Sequence, residues 1–104
     1  MRRNAFVMQL KPGNEAEYKR RHDTIWPELK DELRKAGVSD YSIYLDPKTL
    51  RLFAFQHIAE DATDSRPASR TIVQKWWDSM KDLMDTNPDN SPVCDPLTEM
   101  FHMD

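Results

Sequence analysis

The strongest constraint on this chain's fold is a change of period at Gly37. Upstream, Tyr18, His22, Ile25, Leu29, Leu33 and Ala36 recur at steps of three or four, which places them on one face of a helix. The intervening charges Glu15, Lys19, Arg20, Asp31 and Arg34 fall on other faces. Downstream, Asp40 to Asp46 alternates, with Tyr41, Ile43 and Leu45 on one face and Ser42 and Tyr44 on the other, the signature of a strand. Gly37 suits the helix stop between them. Pro27 lies inside the helical stripe, where it removes a backbone donor and disfavours helical geometry at Trp26, so a kink or restart is expected near residues 23–27.

The other segments complete a pattern around this switch. Residues 3–11 read as a strand ended by Pro12-Gly13. Pro47-Lys48 makes a turn, and Leu50 to Ile58 pairs with the preceding strand as a hairpin. Residues 59–70 are polar, contain Pro67 and show no strong pattern. Ile72, Val73, Trp76, Trp77, Met80, Leu83 and Met84 form a broad helical stripe. Asn87 to Pro92 is turn and loop, and Leu97 to Met103 is a candidate closing strand. The order is β-α-β-β-α-β, an α+β, ferredoxin-like arrangement with both helices on one face of an antiparallel sheet. With 104 residues, the chain is expected to form one domain over residues 1–104. Phe6-Val7-Met8 and Leu52-Phe53-Ala54-Phe55 are apolar on both faces, yet two helices cover only one. A sheet-to-sheet homodimer is therefore expected.

Bulk properties narrow the partners. A net charge of −3 and the lack of any Lys/Arg run give no footprint for nucleic acid or a membrane surface. The apolar stretch Ala5–Met8 is too short for a signal peptide's core, and no segment approaches the length of a membrane span. A lone cysteine, Cys94, cannot form an internal disulfide and suits a reducing compartment, so a cytoplasmic protein is expected.

The residues that could carry chemistry sit on the helical stripes. Tyr18 and His22, one turn apart, place two polar heads where Leu would normally pack. Such heads are either hydrogen-bonded in the core or border a cavity. Histidine is the side chain best able to give and take protons near neutrality. His57 and His102 are assigned to strands, no histidine pair has metal-site spacing, and Cys94 does not join one, so no metal is expected. Trp76 and Trp77 are either core anchors or a flat wall on which a sugar's C–H face packs. Tyr41 and Trp26 add aromatic rings, while Tyr44 has the opposite parity to Tyr41. From pattern alone, an aromatic pocket with one titratable histidine and a simple core remain open alternatives.

The run Glu17-Tyr18-Lys19-Arg20-Arg21-His22-Asp23-Thr24-Ile25-Trp26-Pro27-Glu28-Leu29 resembles the signature of the L-rhamnose mutarotase family. Asp40–Asp46, Gln74-Lys75-Trp76-Trp77-Asp78, Asn87-Pro88-Asp89-Asn90-Ser91-Pro92 and the opening Ala5–Gln9 are similar too, so the resemblance covers nearly the whole chain. It implies a dimeric ferredoxin-like α+β barrel that interconverts the α and β anomers of L-rhamnose without a cofactor. It further implies that His22 is the proton donor and that Tyr18, Tyr41, Trp76 and Trp77 contact the sugar. Asp64-Ser65-Arg66-Pro67 departs from the family pattern and leaves the start of the second long helix open. Two other readings are a cofactor-free or haem-handling dimeric-barrel monooxygenase, on fold analogy alone, and a non-catalytic module that binds a small ligand.

Overall fold

The computed structural model describes residues 2–59 and 71–104. Its sheet has the order β2-β3-β1-β4, built from β1 (Arg2–Gln9), β2 (Val38–Asp46), β3 (Arg51–Ile58) and β4 (Asp95–Pro96). All three neighbouring pairs are antiparallel. With α1 (Glu15–Asp23) and α2 (Pro27–Lys35) between β1 and β2, and α3 (Thr71–Met80) before β4, this is the ferredoxin-like arrangement.

The break between α1 and α2 has the cause that the sequence suggests. Trp26, directly before a proline, is extended at φ −62° and ψ 130°. Pro27 occupies the first turn of α2, where its missing N–H costs nothing. Ile25 thus lies in the link rather than in a continuous stripe. Gly37, at φ 91°, turns the chain from α2 into β2.

One sheet face packs against the helices. Met8, Leu10, Leu52 and Ala54 form the buried core with Tyr18, Met80, Leu83 and Met84. Near its start β2 bulges, with Asp40 and Tyr41 together opposite Gln56, between the Ser39–His57 and Ser42–Phe55 pairs. Asp40 takes a positive φ of 48° there. The extra residue re-phases the strand, so that Val38 before the bulge and Tyr41 and Ile43 after it share the helix-side face. The opposite face carries Val7, Phe53, Phe55 and Tyr44, with no helix over it among the described residues. Phe55 is 45% exposed and Tyr44 63% exposed, and their rings meet edge to face at 5.9 Å.

Three sequence expectations are corrected. The stripe through Leu83 and Met84 does not continue α3, which ends at Met80. Both residues remain buried, but Leu83 closes a turn on the Met80 carbonyl, and Met84 bridges to Leu10. Backbone amides of Lys11 and Asp85 donate to the Leu83 and Gln9 carbonyls, so the end of β1 is satisfied by this crossing segment. The closing strand is Asp95–Pro96 against Val7 and Phe6, rather than Leu97–Met103. Pro96 has no N–H to donate, and only the Leu97 amide, donating to the Ala5 carbonyl, follows it. His102 consequently lies in no strand; its ring nitrogen pairs with Asp104 at 2.8 Å. The expected irregularity around Pro67 lies outside the described residues.

Candidate active site

Between the helices and the sheet lies an open cavity of about 1300 Å³. Tyr18, His22, Tyr41, Trp76 and Trp77 all line it, so the fold brings the five sequence-selected residues to one place. Tyr44, of opposite parity to Tyr41, also borders the cavity, but its ring is engaged edge to face with Phe55.

The imidazole of His22 is held on three sides. Its ring stacks on Tyr18 with centroids 4.3 Å apart, and Trp76 meets it edge-on at 5.3 Å and 89°. Trp26, swung inward at the helix break, meets Trp76 at 5.2 Å. The Nδ1–H of His22 donates to the Tyr18 backbone carbonyl at 3.0 Å. That bond fixes the tautomer, leaving Nε2 as the nitrogen whose protonation can change. Burial pulls the His22 pKa below its ordinary 6.5, against the opposing pull of the Tyr18 carbonyl and the Asp23 charge. The imidazole is therefore neutral, and basic at Nε2, near pH 7.

The neighbouring residue braces this geometry. Glu17 accepts from both Arg20 and Arg21, and these guanidinium groups hold its carboxyl at a pKa of about 2. Arg21 also reaches across to the Ser79 carbonyl and Asp82, tying α1 to the end of α3.

The two tyrosines stay protonated. Tyr18 is only 8% exposed, and burial pushes its hydroxyl pKa up. Tyr41 is 38% exposed, yet protein surrounds it on enough sides that its hydroxyl pKa is raised as well. A phenol in such a hollow donates a hydrogen bond but does not act as a base.

Helix geometry explains the tryptophans. At about 100° per residue, Val73 and Met80 point the same way, with Trp76 about 60° to one side and Trp77 about 40° to the other. Both indoles therefore flank the buried meridian set by Val73 and Met80. Trp76 is in T-shaped contact with both His22 and Trp26, whereas Trp77 has no ring partner among the described residues. Trp77 lines the cavity without being tied to another ring.

The model of the family described as L-rhamnose mutarotase matches residues 3–103. The chain belongs to the L-rhamnose mutarotase family. It is 60% identical to the L-rhamnose mutarotase of Bacteroides thetaiotaomicron and 56% identical to that of Phocaeicola vulgatus, in both cases over the whole of both chains. A crystal structure of the L-rhamnose mutarotase from Formosa agariphila superposes with a TM-score of 0.91 at 51% identity, again covering both chains completely.

In this member of the L-rhamnose mutarotase family, sequence reasoning left one part of the cavity without a role. Asp89, Asn90 and Ser91 line it from the segment after α3. The Asn-Pro-Asp-Asn-Ser-Pro run marked this segment as a turn, and its polar side chains were the signal available. Among the described residues, no three His, Cys, Asp or Glu side chains converge to hold a metal. No helix there is long and apolar enough to cross a membrane.

Proposed function

We propose that this protein is an L-rhamnose mutarotase, with His22 as the proton carrier and Tyr18, Tyr41, Trp76 and Trp77 as the sugar-binding residues. The observation that carries the reading is a half-buried imidazole, locked through Nδ1, inside a cavity walled by aromatic rings. The shared name of the full-length relatives favours this over a monooxygenase or a non-catalytic binding module.

Mutarotation opens the pyranose by breaking C1–O5, lets the aldehyde turn about C1–C2, and recloses the ring on the other face. The anomeric hydroxyl loses a proton on opening, and the ring oxygen gains one. Both oxygens are borne by the same carbon, so a single nitrogen can serve each in turn. Nε2 of neutral His22 takes the anomeric proton, and the resulting imidazolium delivers it to O5 as the C1–O5 bond breaks. On closing, the O5 hydroxyl adds to C1, gives its proton to Nε2 and receives none; the new anomeric oxygen takes the proton from the imidazolium. Nothing is consumed. His22 is thus a base first and a donor second, a reading of the family's donor role that its lowered pKa supports. Tyr18 and Tyr41 donate to sugar oxygens, and Trp77 packs against the C–H face. The apolar lining favours a C6 methyl over a hydroxyl by about 1–3 kcal/mol.

The same proposal includes a homodimer joined through the uncovered sheet face, where Phe53, Phe55 and Tyr44 would otherwise meet water. Cys94, exposed and free, suits the cytoplasm. The deciding experiment is anomeric exchange of L-rhamnose followed by NMR with and without the protein. Acceleration proportional to protein concentration is expected; an unchanged exchange rate would overturn the reading.

A further inference from the structure

A sugar offers two kinds of surface, and the residues named so far answer mainly to one. Aromatic rings take the C–H face, but the ring hydroxyls need aligned donors and acceptors. The segment from Thr86 to Pro92 is built as a rigid polar element bordering the same cavity. The Asn87 amide donates to the Ser91 carbonyl at 2.8 Å, and the Asn90 amide donates to the Asn87 carbonyl at 2.8 Å. Asn90 sits at φ 69°, a conformation asparagine tolerates better than most residues. Thr86 and Pro92 close the base of the loop as an isolated bridge.

Two side chains of α3 latch this loop. Asn90 Nδ2 donates to Asp78 Oδ1 at 2.9 Å, and Gln74 Nε2 donates to the same oxygen at 3.1 Å and to the Asp89 carbonyl at 2.8 Å. Relative to Val73, Gln74 and Asp78 lie about 100° and 140° round the helix, just beyond Trp77 and on the side away from Trp76. The order around α3 is therefore His22 against Trp76, then the cavity, then Trp77, then the latched loop. A pyranose lying on Trp77 with its anomeric carbon at His22 points its far edge at the loop.

Asp89 is the group there best suited to read hydroxyls. One carboxylate oxygen, Oδ1, accepts from the Ser91 amide at 3.0 Å and from the Ser91 hydroxyl at 2.5 Å. Neither Ser91 bond uses the other oxygen, Oδ2. The Ser91 bonds also hold the carboxyl below its ordinary pKa, so it stays an ionised acceptor. We propose that the 87–92 loop is the hydroxyl-reading wall of the sugar site, with Asp89 accepting from the hydroxyls remote from the anomeric carbon and Asp78 acting as the positioning residue that holds the loop. This rests on the mutarotase reading above.

The test compares steady-state anomeric exchange of L-rhamnose and of its C4 epimer, 6-deoxy-L-talose, in four proteins: wild type, Asp89→Asn, Asp78→Ala and Asp78→Asn. A hydrogen bond to a charged group is worth at least about a factor of ten in binding. Asp89→Asn is expected to raise the KM for L-rhamnose about tenfold, by more than it lowers kcat, and to shrink the preference between the epimers. Asp78→Ala should do the same, while Asp78→Asn, which keeps an acceptor oxygen for Asn90 and Gln74, should restore KM. If Asp78→Ala fails to fold, Asp89→Asn still decides. Unchanged KM and epimer preference in Asp89→Asn, with wild type active, would overturn the loop's role alone. A wild-type protein inactive on both sugars would instead overturn the sugar-site reading and this inference with it.

Discussion

Replacing His22 with alanine isolates the proton-transfer step. Because Nδ1–H is committed to the Tyr18 carbonyl, Nε2 is the only position on this ring through which a proton can pass. Its removal takes away the general acid/base contribution, typically about 10²–10⁴-fold in rate, or about 3–5 kcal/mol of barrier. The fold should survive. The substitution forfeits one stacked contact with Tyr18 and one edge contact with Trp76, each worth about 0.5–1.5 kcal/mol. The Tyr18 carbonyl loses only its side-chain donor. Exchange between the α and β anomeric protons of L-rhamnose, measured by saturation-transfer NMR at several protein concentrations, reads the loss directly, and circular dichroism confirms folding. The vacated space opens onto a cavity large enough to admit free imidazole, which should restore part of the rate in the alanine variant and none in wild type. A folded His22→Ala protein within threefold of wild type would refute the proton-carrier role.

The pH dependence follows from the direction of the His22 shift. The neutral imidazole starts the reaction, and burial lowers its pKa below 6.5, so activity should be level at neutral pH and fall on an acid limb centred below 6.5. A rate that instead rises on acidification through pH 6 would make the imidazolium the starting form. The same shift makes the unfolded chain the better proton acceptor, so the stability contributed by neutral His22 is present above pH 6.5 and is lost as pH falls through the folded pKa. Trp77→Ala should raise KM about three- to tenfold with a smaller effect on kcat, because its ring packs against the sugar; an unchanged KM would count against stacking. Trp76→Ala should depress kcat more than Trp77→Ala does, since Trp76 holds the His22 ring; equal effects on kcat would remove that distinction. Phe55→Glu, on the uncovered sheet face, should shift the protein from dimer to monomer in sedimentation velocity, and a wild type that sediments as a monomer would end the dimer proposal.

What the sequence made legible was local chemistry with one dominant solution. Pro27 excludes a continuous helix and Gly37 permits the positive φ that ends one, and both breaks stand at those residues. The alternating residues of β2 gave the correct face for Tyr41, in phase with Ile43; what the alternation does not announce is the bulge at Asp40, which brings Val38 onto that same face despite its opposite parity. Leu83 and Met84 misled because burial is all that an apolar period reports. A helix continuing past Met80 and a turn crossing the end of β1 bury the same two side chains, and the choice was made by the open backbone groups of Gln9 and Lys11, which lie far away in sequence. The latch between Asp78 and Asn90 was hidden for a similar reason, as both residues sit where solvent-facing polar side chains are unremarkable.

The helix break also bears on why His22 can carry a proton in both directions. Pro27 ends α1 early, so His22 falls in its last turn, where the negative end of the helix dipole favours a cation. Asp23 and the Tyr18 carbonyl pull the same way, while burial among aromatic rings pulls harder in the other and leaves the ring neutral. A site dominated by burial alone would make the imidazolium inaccessible, and one dominated by the helix end would keep the proton. Mutarotation needs neither extreme, because the same nitrogen must be charged and discharged within one turnover. The expected consequence is that weakening one side of this balance moves the acid limb: Asp23→Asn should shift it to lower pH, and an unmoved limb would show that the Tyr18 carbonyl and the helix end, rather than the Asp23 charge, oppose the burial.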